Sequence, residues 1–182
     1  MCECWGNRKL KCLKSKHITQ GEYATGDTED VMITTILGSC VSACLWDPVA
    51  GIGGMNHILL PDRALVEVSA QGRSINEMEL LINEIFKQGG MKTRLKAKLF
   101  GGAQMISGFS DVGIRNAQFV HDFLNSEGIP CIGQSLGGKQ ARKIQFWPCT
   151  GRARQKFLGQ MEFPVEQQNV QNENPVSDVE LF

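Results

Sequence analysis

The chain has 182 residues, enough for one domain with a substantial core. Its 19 lysines and arginines balance 19 aspartates and glutamates, so no bulk charge draws it to nucleic acid or to an anionic membrane. No apolar run approaches the roughly 18 residues a membrane span requires, which argues against membrane insertion.

Residues 1–17 read as a flexible extension with no apolar signal core. Three strands are predicted next, at 31–37, 41–46 and 53–60, and Asp47-Pro48 starts the turn between the last two. On the first strand a period of two sets Thr34 and Ile36 on one face and Thr35 on the other. Ser74-Ile75-Asn76-Glu77 is a capping box opening a helix, with Ile75, Met78, Ile82 and Ile85 as its apolar stripe and Gly89 as its stop. A strand follows at 95–99, ending at Gly101-Gly102. A second helix is predicted over 114–126, with Ile114, Ala117, Val120 and Leu124 inward and Gly128 closing it. Residues 143–147 alternate as a strand, Thr150-Gly151 turns, and 155–158 pair back. The predicted fold is an α/β (α+β) sandwich, a mixed or antiparallel sheet covered by two main helices. Its domain spans 18–163, and the polar stretch 164–182 is expected to be a disordered tail.

Cys40 and His57 carry the chemistry. Cys40 follows Gly38-Ser39 at the entry to one strand, and His57 lies on the next. With a turn at 47–50 the two fall directly opposite, Cβ atoms about 4.5–5.5 Å apart. A longer loop, which Gly51 and Gly53 allow, makes them diagonal neighbours. Singly, such residues are more often a buried small hydrophobe and a satisfied core histidine. Together they suggest a thiolate–imidazolium pair, with the thiol pKa pulled below its free value of about 8.5. No metal or cofactor is expected. Cys2, Cys4, Cys12 and His17 lack the regular spacing of a zinc site. The seven cysteines, odd in number and unpaired in spacing, read as reduced thiols of a cytoplasmic protein. Cys40 and Cys44, about 13 Å apart by strand rise, are too distant for a disulfide.

Ile33-Thr34-Thr35-Ile36-Leu37-Gly38-Ser39-Cys40-Val41, Asp47-Pro48 and Gly53-Gly54-Met55-Asn56-His57-Ile58-Leu59-Leu60-Pro61 closely resemble the chemoreceptor glutamine deamidases of bacterial chemotaxis, the CheD family. Gly101-Gly102-Ala103-Gln104-Met105, Ile114-Arg115-Asn116, Gly137-Gly138 and Ala141-Arg142 extend the resemblance in order over residues 18–158. The resemblance implies a catalytic set of Cys40, His57 and an upstream threonine, by position Thr34. It also implies chemoreceptors (methyl-accepting chemotaxis proteins) as substrates, with a CheC-type phosphatase as a further partner. An alternative is therefore a regulatory binding module for which catalysis is secondary. In the implied reaction Cys40 attacks a glutamine side-chain amide to give a thioester and ammonia, and water releases glutamate. His57 carries the protons. Thr34 orients the imidazole through its hydroxyl or its carbonyl, and the backbone N–H groups of Cys40 and Ser39 are candidates for the oxyanion hole. Methyl esters of the same side chains are a plausible second substrate. A thiol protease or transglutaminase would use the same parts, and the resemblance is what selects deamidation.

Overall fold

The computed structural model describes residues 13–60, 67–105 and 112–159. The flexible-extension expectation for 1–12 and the tail at 164–182 lie outside them. Among the described residues, nine strands and two α-helices form three layers. A four-stranded sheet has the order β1-β3-β8-β9, from β1 (Lys14–His17), β3 (Val31–Leu37), β8 (Arg142–Trp147) and β9 (Arg152–Phe157). A five-stranded sheet has the order β2-β5-β4-β6-β7, from β2 (Tyr23–Gly26), β5 (Ile52–Asn56), β4 (Val41–Asp47), β6 (Lys96–Gly101) and β7 (Cys131–Leu136). Both helices, α1 (Glu67–Lys87) and α2 (Val112–Ser126), lie on the five-stranded sheet.

The α+β class and the two covering helices stand as predicted. The difference is a second sheet on the face the helices leave open. It arises because β4 is buried along its whole length, and alternation sends its side chains into two cores. Val41, Ala43 and Leu45 meet Met78, Leu81, Ile82, Ile85, Val120 and Leu124 of the helices. Cys44 and Trp46 point the other way, to Ile33, Leu37, Ile144 and Phe146 of the four-stranded sheet. A strand buried on both faces reads as an unbroken apolar run.

Other boundaries shift for local reasons. The segment at 14–17, expected within a flexible extension, is a strand running parallel to β3, with His17 beside Thr34. Helix α1 starts at Glu67, ahead of the predicted capping box. Ile75 is half-exposed while Leu81 takes a place in the core. Its end is as predicted, with the Gly90 N–H returning to the Ile85 carbonyl. In α2, Asn116 is buried and Ile114 is 54% exposed, reversing the inward stripe at that turn. Strands β2 and β7 went unpredicted, being short and polar or glycine-containing.

The β4–β5 hairpin is anchored by Asp47. Its Oδ1 accepts the N–H groups of Val49 (2.9 Å) and Ala50 (3.1 Å). Oδ2 accepts Met91 N–H (3.0 Å) and Arg94 Nε (2.8 Å), with Arg94 Nη2 at 2.7 Å. Burial alone would raise the Asp47 pKa, but the Arg94 guanidinium and these amides outweigh it and hold it at about 2. Asp47→Ala should destabilise the fold by about 2–4 kcal/mol, since it strands three backbone N–H groups and the Arg94 guanidinium, readable as a lower urea midpoint. The carboxylate's stabilisation is complete above the unfolded pKa of about 4 and is lost as pH falls through the folded value of about 2.

Candidate active site

The β4–β5 register places the candidate pair. Cys44 pairs with Met55, Asp47 with Ile52, and Val41 bridges Ile58. The loop therefore contains Gly51, and His57 stands opposite Ser42 and diagonal to Cys40. Of the two arrangements the sequence allowed, the diagonal one forms. Diagonal neighbours lie about 7–8 Å apart, with Cβ atoms somewhat closer. The backbone of His57 is fixed on its far side, its N–H donating to Glu22 O (3.0 Å) and its carbonyl accepting from Gly21 N–H (2.8 Å).

The imidazole points between the sheets. Its Nδ1 lies 2.8 Å from the hydroxyl of Thr35, which also lies 2.8 Å from the Ile18 carbonyl. A carbonyl only accepts, so the Thr35 hydroxyl donates to Ile18 and must accept from Nδ1–H. That fixes the tautomer of the neutral ring: Nδ1 carries the proton and Nε2 presents a lone pair. Nε2 is buried without a hydrogen-bond partner among the described residues.

Thr34, the upstream threonine the resemblance implies, is placed elsewhere. Its hydroxyl donates to the Ile144 carbonyl (2.8 Å), and its own carbonyl accepts Ile18 N–H (3.0 Å). Neither atom is the partner of the imidazole. The period of two explains the placement: Thr34 shares a face with Ile36, 50% exposed, and Thr35 shares the inter-sheet face with Ile33 and Leu37. That alternation is legible in the sequence, and joined to the inter-sheet position of His57 it singles out Thr35.

Cys40 sits half-buried just before β4, on a loop held from three sides. Its carbonyl accepts Gly102 N–H (2.8 Å), and the Gly38 carbonyl accepts Ala103 N–H (2.9 Å). The buried Asn116 of α2 donates through Nδ2 to Ser39 O (2.8 Å) and accepts Leu60 N–H at Oδ1 (2.8 Å). One side chain thus ties the Cys40 loop to the segment after His57. Gly101, at φ 115°, lets the backbone pass so close that a Cβ there would strike the Cys40 carbonyl. The second glycine pair joins the same assembly, since Gly137 N–H donates to Gly101 O (2.9 Å) and Gln104 N–H to Gly138 O (2.8 Å). Arg142, buried at the start of β8, holds that loop through Ser135 O (2.6 Å) and Gly137 O. The N–H groups of Ser39 and Cys40 donate to no main-chain carbonyl among the described residues.

The electrostatics differ from the expected ion pair. Burial pushes the Cys40 thiol above its ordinary value, against a smaller opposing pull from its own backbone N–H. Burial also pushes His57 below its ordinary value, helped by His17 and opposed by Glu22. Burial thus favours a neutral thiol and a neutral imidazole over an ion pair, and the bare Nε2 faces the interior as a proton acceptor. No group of His, Cys, Asp and Glu suited to a metal ion occurs among the described residues, and none of their helices is long and apolar enough to cross a membrane.

The family described as CheD chemotactic sensory transduction matches residues 59–157. That stretch begins just beyond His57, but similarity to individual relatives runs over nine-tenths of the chain. A protein of Agrobacterium fabrum named "Probable chemoreceptor glutamine deamidase CheD" is 51% identical over 175 residues, 93% of this chain and 97% of that protein. Its namesake in Rhizobium etli is 49% identical, covering 91% and 95%. That of Caulobacter vibrioides is 43% identical, covering 91% and 92%. Among solved structures, the hypothetical protein YfiH of Bacillus licheniformis aligns with a TM-score of 0.42 at 15% identity, over 62% of this chain and 49% of that one.

The neutral pair has a measurable consequence. Alkylation of Cys40 by iodoacetamide, followed on its own peptide by mass spectrometry, should keep accelerating past the ordinary thiol value of 9.0. A plateau reaching below neutrality would instead establish a resting thiolate–imidazolium pair.

Proposed function

The chain belongs to the CheD family, and we propose that it hydrolyses the side-chain amide of specific glutamines on chemoreceptors, using Cys40 as nucleophile and His57 as proton carrier. The observation that carries the site assignment is the directional chain from Nε2 through Nδ1–H and the Thr35 hydroxyl to the Ile18 carbonyl. It presents a base on the inter-sheet face that His57 shares with Cys40 and braces the ring from behind.

The reaction follows from a neutral start. As a glutamine side chain binds, His57 Nε2 takes the Cys40 proton and the sulfur attacks Cδ. The amide oxygen becomes an oxyanion, for which the N–H groups of Ser39 and Cys40 are the donors nearest the nucleophile along the chain. The imidazolium is stabilised through Nδ1–H by Thr35 and protonates the amide nitrogen, which leaves as ammonia as the carbon–nitrogen bond breaks. Water then attacks the thioester with His57 again as base, releasing glutamate and the thiol. No added cofactor is required. A methyl ester on the same side chain would react by the same route with methanol leaving. Because burial depresses the His57 pKa, the base form persists below the usual histidine range, and activity should fall only on the acid side of pH 6.5.

The receptor segments that the resemblance implies lie in the cytoplasm, and we place the protein there. A CheC-type phosphatase is a further proposed partner. Pull-down with Cys40→Ala would separate that binding from catalysis.

Receptor fragments incubated with the protein should gain the mass of acid replacing amide at defined glutamines. Cys40→Ala and His57→Ala should lose this conversion. Thr35→Val should lower kcat by about 10–100-fold, part of the 10²–10⁴ typical of general acid–base catalysis, with KM little changed. Thr34→Val should stay close to wild-type turnover. The reverse ranking of the two threonine variants would return the orienting role to Thr34.

A further inference from the structure

Two buried polar atoms on one strand pair lack hydrogen-bond partners among the described residues: Ser42 Oγ and His57 Nε2. Ser42 has no exposed surface. The register links them, since Ser42 falls directly opposite His57 between the Val41–Ile58 bridge and the Cys44–Met55 pair. Alternation sets both on the inter-sheet face with Cys44 and Met55. Directly opposed residues have Cβ atoms about 4.5–5.5 Å apart. A buried hydroxyl with no partner opposes folding, and alanine would fit the same strand position, so packing gives no reason for serine here.

We propose that Ser42 is a positioning residue for the second half of the reaction: its hydroxyl and His57 Nε2 together hold the water that hydrolyses the Cys40 thioester. The inference rests on the roles given above to Cys40 and His57. Cys40, Ser42 and Cys44 alternate along one face, so Ser42 lies one strand step inward from the nucleophile. A water bonded to both atoms donates one hydrogen to Nε2 and has its orientation set by the serine. In the step, a carbon–oxygen bond forms as the carbon–sulfur bond breaks. The water proton passes to Nε2 and then to the Cys40 sulfur, and nothing is oxidised or reduced. Acylation uses only the thiol proton and the leaving ammonia, and needs no contribution from Ser42.

Ser42→Ala separates the two halves. Ammonia release in the first turnover should stay within about twofold of wild type, while steady-state kcat falls about 10-fold or more for want of an oriented water. Mass spectrometry during turnover should show an acyl adduct on Cys40. Hydroxylamine, which attacks a thioester without a base, should restore the rate. The melting temperature should hold or rise, because an unsatisfied hydroxyl has been removed. A wild-type steady-state rate without adduct overturns the proposal, as does an equal fall in both phases or a failure of hydroxylamine to rescue. Deamidation surviving Cys40→Ala would instead sink the underlying assignment of the nucleophile.

Discussion

The hydroxyl of Thr35 is the constraint on which the site depends. It is a single oxygen with one hydrogen to give, and the Ile18 carbonyl takes it. What remains is an acceptor, so the imidazole must turn its N–H toward the threonine and its lone pair toward the interior. Thr35 belongs to the four-stranded sheet and His57 follows β5 of the five-stranded one, so this hydrogen bond works only while the two sheets stay in register. The inter-sheet core of Ile33, Leu37, Trp46, Met55 and Phe146 supplies that rigidity. Packing that looks purely structural therefore decides which nitrogen of His57 is basic.

Burial disfavours charge on both Cys40 and His57, with a clear physical origin. An ion pair between Cys40 and His57 would place two charges in a poorly solvated space, and their attraction must exceed the desolvation of both. Here desolvation is the leading influence on each group, raising the thiol and lowering the imidazole. Sequence arguments for an activated thiol count the partner's charge and cannot count the water removed from around it. That depends on the second sheet, which no local pattern announces. In the reaction proposed above, activation is then coupled to the substrate, whose amide oxygen takes up the charge the sulfur gives away. A thiol that ionises only in company is also protected from casual alkylation and oxidation.

Much of the fold was legible because the strongest signals were local. The strand at 31–37 matches β3 to the residue, and Gly89 and Gly128 mark the helix ends. The hairpin alone left the Cys40–His57 geometry open between opposed and diagonal, and a shift of the four-residue turn by one position, from 47–50 to 48–51, decided it. The threonine that contacts the imidazole, Thr35, differs from the one the resemblance implies, Thr34, for a different reason. A position carried over by resemblance does not say which way a side chain points, whereas the strand period does, and it set Thr35 apart from Thr34. The apolar character of Ile114 suggested an inward face, but Asn116 takes that place because two backbone groups of the site, Ser39 O and Leu60 N–H, need a partner.

The glycine pairs show how far the site reaches along the chain. Read alone, Gly101-Gly102 and Gly137-Gly138 could be ordinary turns. In the fold they form successive supports: Gly137 N–H fixes Gly101, while Gly102 and the following Ala103 fix the carbonyls of Cys40 and Gly38. Such support demands close backbone approach, and any side chain at Gly101 would displace the Cys40 carbonyl. Arg142 completes it by turning a buried cation onto main-chain oxygens of the outer loop. A nucleophile on a loop would otherwise sample many positions, and attack on an amide tolerates few of them. The separated sequence blocks from 101 to 142 therefore fix where Cys40 stands, the position its proposed role as nucleophile requires.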